Sequence, residues 1–313
     1  MSTNKDNNLV PRITGLLILE VRKSNPNGDP ERESSPRQRP DGKGEISPVS
    51  VKRKLRDLVL EKEGIVWQEL EKSLGLEKDK FQILENRGRD RVSIETEIMG
   101  GQFIAKYWDG RLFGNTFLED AKGLKERHKN ASDEELAKVK DNIRAGVAHF
   151  GVGVSLLPID IEFSTWTSKS GVEADKDRGM APMAFRVVKH GLYAVPFFVN
   201  PNLAHKTGCT KLDVDLMLHL LKHTYTGTRS VVRSMVEVVH AHTLTHKSRA
   251  GSVSDFAFLD ALTPKKTNNP DKSSETLADY GELPTWEKIK DVPVRPDSKI
   301  TFGQCGEYHD YAM

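Results

Sequence analysis

Lys52, Arg53 and Arg56 stand at spacings that gather cations along one stretch of helix, and such a cluster can hold phosphate groups. Phosphate contacts made by cations and amides carry no base information of their own, so a strand gripped in this way keeps its bases free. Upstream, Asn25, Asn27 and Gly28 lie in the run Asn-Pro-Asn-Gly-Asp-Pro. Their side-chain amides and unhindered backbone can wrap a phosphate or simply make a turn, and Asp29 opposes an anion there. Far downstream, His246, Lys247 and Arg249 precede Gly251 and offer a second phosphate clamp, with a plain basic turn as the alternative. Arg37 and Arg39, in a proline-rich stretch, could meet DNA or a neighbouring subunit, and surface solubility explains them equally well. Met180, Met183 and Phe185 are large apolar side chains in a polar segment, suited to wedging between nucleotides or to forming a small satellite core.

Enzymatic chemistry finds less support. His219 and His223 share a helical face, but no HExxH pattern or third ligand accompanies them, so no metal site is expected. Neither a Walker A sequence nor GxSxG occurs, which removes support for nucleotide hydrolysis and serine acyl transfer, and no cofactor is implied. A ribonuclease could draw a general base from His190, His242 or His246, with nearby cations stabilising a phosphorane, yet no spacing brings two of them to one phosphate.

These residues need elements to position them. The 313 residues suffice for one elaborated domain or two small ones, and the 47 Lys and Arg barely outnumber the 45 Asp and Glu, so charge distribution rather than net charge must mark any polyanion site. Cys209 and Cys305 form no CxxC pattern and fit a reducing compartment. The polar start and the lack of long apolar runs argue for a cytoplasmic chain without a membrane span.

Ile13 to Val21 reads as a central strand, followed from Arg22 to Pro48 by a stretch whose prolines and glycines exclude regular structure. Ser47-Pro48 opens a helix to about Glu61, with Val51, Leu55, Leu58 and Val59 inward. Gln102 to Trp108 reads as a second strand ending in an Asp109-Gly110 turn. Ser132 and Glu135 start a charged surface helix reaching about Ile143. Gly151 to Phe163 is a strand bent at Pro158. Thr165 to Lys189 suits a projecting hairpin, and Gly191 to Val199 another strand. Asp213 to Tyr225 is an amphipathic helix and Met235 to Leu244 a last core strand. From Pro264 onward a loosely packed arm is expected, with one short element near Trp286. Without insertions the order is strand, helix, strand, strand, helix, strand, the split βαβ or ferredoxin-like order of RNA-recognition folds.

Several motifs, in order, carry a resemblance: Asn25-Pro26-Asn27-Gly28-Asp29-Pro30, Lys52-Arg53-Lys54-Leu55-Arg56, Tyr107-Trp108-Asp109-Gly110-Arg111-Leu112-Phe113-Gly114, Lys189-His190-Gly191-Leu192-Tyr193, Phe198-Val199-Asn200-Pro201, Thr207-Gly208 and Thr245-His246-Lys247-Ser248-Arg249-Ala250-Gly251. Over most of residues 12–262 the sequence resembles the Cas-seven family of CRISPR-associated proteins, nearest its type I-C and I-B branches. The resemblance implies an α+β architecture: an RNA-recognition-like (ferredoxin-like) palm with finger insertions and a protruding thumb hairpin. Its expected boundaries are a disordered N-terminus over 1–11, a palm over 12–262 and a C-terminal arm over 263–313. The palm would carry a loop or web at 22–47, a helical insertion at 115–145 and a thumb-like hairpin at 164–190.

The resemblance further implies a non-catalytic backbone subunit of a type I surveillance complex, or Cascade. Copies of the chain would stack head to tail along a CRISPR RNA whose bases pair with target DNA, beside other Cascade subunits. A head-to-tail interface whose rotation does not close builds an open helical filament. The alternative is a RAMP-type endoribonuclease that processes CRISPR RNA. Two departures bear on subtype and thumb boundaries: the segment from Asn115 to Ile143 is long for the family, and Leu156-Leu157-Pro158-Ile159 replaces the usual arginine-serine pattern.

Overall fold

The computed structural model describes residues 9–115, 121–140, 144–168, 181–265 and 271–313. Strand β1 (Ile13–Ser24) leads into two short paired strands, β2 (Gly28–Asp29) and β3 (Ser35–Pro36), then β4 (Lys43–Ile46) and helix α1 (Pro48–Leu60). Helices α2 (Ile65–Leu74), α3 (Arg91–Met99), α4 (Phe103–Lys106) and α5 (Trp108–Phe113) follow. Strand β5 (Gly114–Asn115) pairs with β6 (Arg144–Ala145) across α6 (Ala121–Arg127) and α7 (Asp133–Lys140). Next come β7 (Ala148–Phe150), β8 (Gly153–Pro158), β9 (Ile161–Ser168) and the long β10 (Ala181–Val199). The chain continues through α8 (Ala204–Thr207), α9 (Lys211–Leu220), α10 (His223–Thr226), β11 (Val236–His246), α11 (Asp255–Leu262), α12 (Trp286–Ile289) and β12 (Gly306–Asp310).

The main sheet runs β12-β11-β1-β10-β8-β4, with β7 and β9 also paired to β10, and each of these pairings is antiparallel. The molecule is therefore a mixed α/β fold on a mainly antiparallel sheet. Strand β1 lies between β10 and β11, which explains its nearly continuous apolar run: alternate residues serve opposite faces, and both faces are covered. Leu17, Leu19 and Val21 join one core with α1, α2, α5 and α9, while Leu16 and Ile18 join a second with α11, α12, Tyr280 and Phe302. A third, smaller cluster holds Ile94, Ile98, Leu124, Leu136 and Val139, from α3, α6 and α7.

Helix α1 forms as its sequence dictates. The Ser47 hydroxyl accepts from the Ser50 amide at 3.2 Å, Pro48 sits in the first turn, and Val51, Leu55, Leu58 and Val59 are buried. The expected Asp213–Tyr225 helix is divided into α9 and α10, and Thr210 and Asp213 cap α9 reciprocally. Pro158 ends β8 where a bend was expected. The projecting hairpin exists as β9 paired with the first half of β10, from Ala181 opposite Ser168 to Val188 opposite Ile161.

Several expectations are corrected. Residues 102–108 are not a strand, and Asp109-Gly110 is not a turn: both belong to α4 and α5. A short apolar run is ambiguous between helix and strand, and here Asp109 decides, because its buried carboxylate takes the amides of Leu84 and Glu85 at 2.7 and 3.1 Å. The 22–47 stretch is not structureless: β1 extends to Ser24, β2 and β3 form a small ladder, and β4 joins the main sheet against β8. The C-terminal arm is not loose. Strand β12 pairs with β11 from Gly306 to Asp310, and Tyr280, Ile289, Phe302 and Cys305 are buried in the second core. Of the expected disordered N-terminus, residues 1–8 lie outside the described residues, whereas Val10 is only 2% exposed and part of the core.

Candidate nucleic-acid interface

The three cations chosen on α1 have different fates. Arg53 pairs with Asp57 at 2.6 Å and donates to the Glu85 carbonyl at 3.1 Å. Arg56 donates from Nε to Oδ2 of the buried Asp109 at 2.8 Å. Lys52 has no carboxylate partner among the described residues. Its ammonium lies 5.2 Å from the Phe113 ring centroid, and the Arg56 guanidinium lies 5.3 Å from the same ring. Burial, and then repulsion by Arg56, lowers the Lys52 pKa. Lys52 in turn adds to the burial that lowers the pKa of His149 on β7, a residue that no local pattern singled out. A half-buried cation without a counter-charge is a stronger site for an anion than a solvated one, because its field is less screened.

Asn25, Asn27 and Gly28 build the hairpin after β1. The Asn25 side chain is buried and donates to the Ser34 carbonyl at 2.7 Å. Asn27 accepts from the Ser47 amide at 2.7 Å and donates to the Gly28 carbonyl at 3.1 Å. At Gly28 a Cβ would lie 3.0 Å from the Ser34 carbonyl oxygen. Asn27 thereby ties the Asn-Pro-Asn-Gly-Asp-Pro hairpin to the N-cap of the helix that carries Lys52. The two amide side chains serve the turn, the structural side of the alternative weighed from sequence.

In the downstream turn His246 corrects the phosphate-clamp expectation, because it is buried. Its Nδ1 accepts from the Ser252 amide at 2.9 Å, which leaves the proton on Nε2, 2.9 Å from the Thr14 hydroxyl. Thr14 donates to Asp255 at 2.5 Å, and Arg12 holds the same carboxylate at 2.9 Å. This relay shapes the turn that displays Lys247 and Arg249. Both are exposed, neither has a carboxylate partner among the described residues, and Arg249 donates to the Val10 carbonyl at 3.0 Å. Arg249 lines a cleft of about 600 Å³ with Leu9, Asn202 and His205. The two regions connect through β7, which carries His149 and pairs with the end of β10 that leads to Asn202.

Arg37 lies 4.0 Å from Asp29 and 3.9 Å from Glu45, and Arg39 lies 3.7 Å from Asp41, so both are partly neutralised. Met180 lies outside the described residues, as does the side chain of Met183. Phe185 is half-buried on β10, opposite Ser164.

The remaining histidines are engaged elsewhere. His190 is buried between Glu20, at 3.1 Å, and Ser274, at 2.8 Å. His240 and His242 stack with ring centroids 4.6 Å apart beside Asp310, a group whose ligand atoms lie within 4.8 Å of one another. Asp310 accepts from His240 at 2.7 Å and from the amides of Ala241 and Ala312, and His242 Nδ1 meets the Tyr308 hydroxyl at 2.7 Å.

An antiparallel sheet covered on both faces, with uncompensated cations on its helical rim, defines a mixed α/β scaffold. The sequence matches the family model of CRISPR-associated protein Cas7 over residues 11–285, and the chain belongs to that family. It is 25% identical over 222 residues to the CRISPR-associated protein Cas7 of Haloferax volcanii, a match that takes in 64% of this chain and 60% of that protein. The chain thus spans less than two thirds of that relative's length. Among solved structures, a chain of a CRISPR RNA-guided surveillance complex superposes with a TM-score of 0.43 at 17% identity, covering 81% of this chain and 76% of the other. A chain of such a complex in a pre-nicking state gives 0.42 at 17% identity, over 80% and 83%. A chain of the Type III-B Cmr-beta bound to cognate target RNA gives 0.36 at 12% identity, over 75% and 61%. No helix among the described residues is long and apolar enough to cross a membrane.

Proposed function

We propose that this chain is a CRISPR RNA-binding backbone subunit of a type I surveillance complex. Several copies assemble along the guide in the cytoplasm beside other subunits, and the guide's bases stay free to pair with target DNA. The observation that carries this reading is Lys52: an ammonium without a counter-charge, on a capped and buried helix, in a chain of the Cas7 family. Lys247 and Arg249 add cations on the far side of β7. Such contacts grip phosphates and leave base edges unread, which is what a guide-holding scaffold requires.

The sheet supports reading the core as an RNA-recognition-like palm, because β11-β1-β10-β8, with α1 and α9 between the strands in sequence, follows the split βαβ order. In that reading the β9–β10 hairpin is the thumb, residues 115–145 a finger, 22–47 the web and 263–313 the C-terminal arm. The second face of the sheet lies largely under α11, α12 and Phe302, so the guide follows the helical rim instead of stacking its bases on the sheet.

The chain is read as non-catalytic. A ribonuclease needs an imidazole within reach of a phosphate, and His190, His242 and His246 are all buried and hydrogen-bonded to the protein. The deciding experiment is size-exclusion chromatography with light scattering of the chain with and without CRISPR RNA, followed by sizing of the recovered RNA. Intact RNA carrying several copies is expected. Shortened RNA without a stable complex would overturn the reading in favour of the endoribonuclease.

A further inference from the structure

Helix α1 carries a further cation that faces away from Lys52. Two residues on, Lys54 is turned by roughly 200° about the helix axis, and it is only 5% exposed. Its ammonium lies 4.7 Å from the Tyr225 ring centroid and has no hydrogen bond or ion pair among the described residues. Asp57, the carboxylate whose field reaches Lys54, is already held by Arg53 at 2.6 Å. Burial is the largest cause that lowers the Lys54 pKa, to about 8, and repulsion by Arg233 acts in the same direction.

Two more donors share this surrounding. The Tyr225 hydroxyl and the Arg233 Nε are both sealed from solvent without a hydrogen-bond partner. The charge of Arg233 is felt at both Lys54 and Tyr225. The backbone holds Arg233 in place, because the Asn25 amide donates to the Val232 carbonyl at 2.7 Å and the Met235 amide donates to the Ser24 hydroxyl at 3.0 Å. An ammonium, a guanidinium N–H and a phenol thus lie together beside the Asn-Pro-Asn-Gly-Asp-Pro hairpin.

Buried donors without acceptors are rare in native proteins, and a pair of like charges without a counter-charge is rarer. A water molecule could accept hydrogen bonds from two of the donors but would bring no charge. The nearby Asn25 Oδ1, buried and unpartnered as well, is a neutral acceptor and leaves the charge unbalanced. A tetrahedral oxyanion answers both the hydrogen-bonding and the charge requirement.

We propose that Lys54, Tyr225 and Arg233 form a pocket for one phosphate group, occupied by a backbone phosphate of the bound RNA strand, a placement that rests on the RNA-binding reading above. The site lies on the opposite side of α1 from Lys52, so the strand would be gripped on both sides of the hairpin.

The test compares the full chain with Lys54→Met, Arg233→Gln and Tyr225→Phe. Affinity for a labelled single-stranded RNA is measured by anisotropy across a salt series, and thermal melting is followed with and without inorganic phosphate. The cation variants should melt no lower than the parent without phosphate, bind RNA about tenfold more weakly and lose about 0.7 from the salt slope. Tyr225→Phe, which keeps the ring and is least able to disturb the fold, should lose about threefold. Phosphate should raise the melting point of the parent and of none of the variants. If the parent binds RNA and the variants match it in affinity and slope, the pocket is refuted while the RNA-binding reading stands. If the parent binds no RNA but its phosphate shift vanishes in the variants, the anion pocket stands with free phosphate as its source. No phosphate shift in the parent and no change in RNA binding would mean that only water fills the site, which overturns the proposal.

Discussion

The Nε of Arg56 donates to Oδ2 of Asp109 at 2.8 Å, across 53 positions of sequence, and Asp109 is itself fully buried. Two segments that look like separate RNA-binding motifs are therefore halves of one internal contact. The same carboxylate accepts the amides of Leu84 and Glu85, so the pair anchors the 81–85 stretch as well as α5.

Removing Arg56 leaves a buried carboxylate without its cation. Arg56→Ala should destabilise the fold by about 3 kcal/mol, measured by urea denaturation. RNA affinity of the folded fraction should move less than for a change at Lys52. A large affinity loss with unchanged stability would return Arg56 to the phosphate-binding set.

Lys52 behaves in the opposite way. Its burial disfavours the charge, so Lys52→Met should leave stability unchanged or slightly higher. RNA affinity should fall about tenfold at low salt, with a shallower salt dependence, as read by fluorescence anisotropy. Equal binding by the variant and the parent would remove Lys52 from the interface.

Acid should weaken the β11–β12 edge. Burial is the main cause that lowers the His242 pKa to about 4, with His240 acting in the same direction and Asp310 opposing. The unfolded state, with a value near 6.5, takes up its proton first as pH falls. The stability carried by the neutral ring is thus complete above about pH 6.5 and lost progressively toward about pH 4. The difference is worth about 3 kcal/mol. His246, also lowered by burial, adds loss in the same direction. Denaturation midpoints measured from about pH 7 to about pH 5 should fall for the parent, and His242→Gln should flatten the curve. Parallel curves would show that His242 does not carry the effect.

Gly306 tests the docking of the C-terminal segment. A Cβ there would lie 2.2 Å from the Thr245 carbonyl oxygen, a backbone atom that cannot turn aside. Gly306→Ala should lift β12 from β11, cost about 2 kcal/mol and expose the 271–313 segment to limited proteolysis. A protease-resistant variant with unchanged stability would argue that this segment is held mainly by Tyr280, Ile289 and Phe302.

Periodicity and punctuation made part of this protein legible. The apolar run of β1, the Ser47-Pro48 start and inward stripe of α1, the alternation of β11 and the bend at Pro158 are local properties, decided by side-chain period and backbone stereochemistry. Family membership was legible too, because ordered motifs survive where overall identity falls to 25%. Partnership was not. Nothing near Arg56 announces Asp109, nothing near His246 announces Thr14 and Ser252, and no helical pattern tells that Lys54 faces Tyr225 while Lys52 keeps its charge uncompensated. A basic motif states which charges exist, and their availability depends on carboxylates and carbonyls that only folding brings within reach. The short helices at 103–113 and the strand at 306–310 belong to the same class: each is too brief to hold its own conformation, and tertiary hydrogen bonds and burial select it.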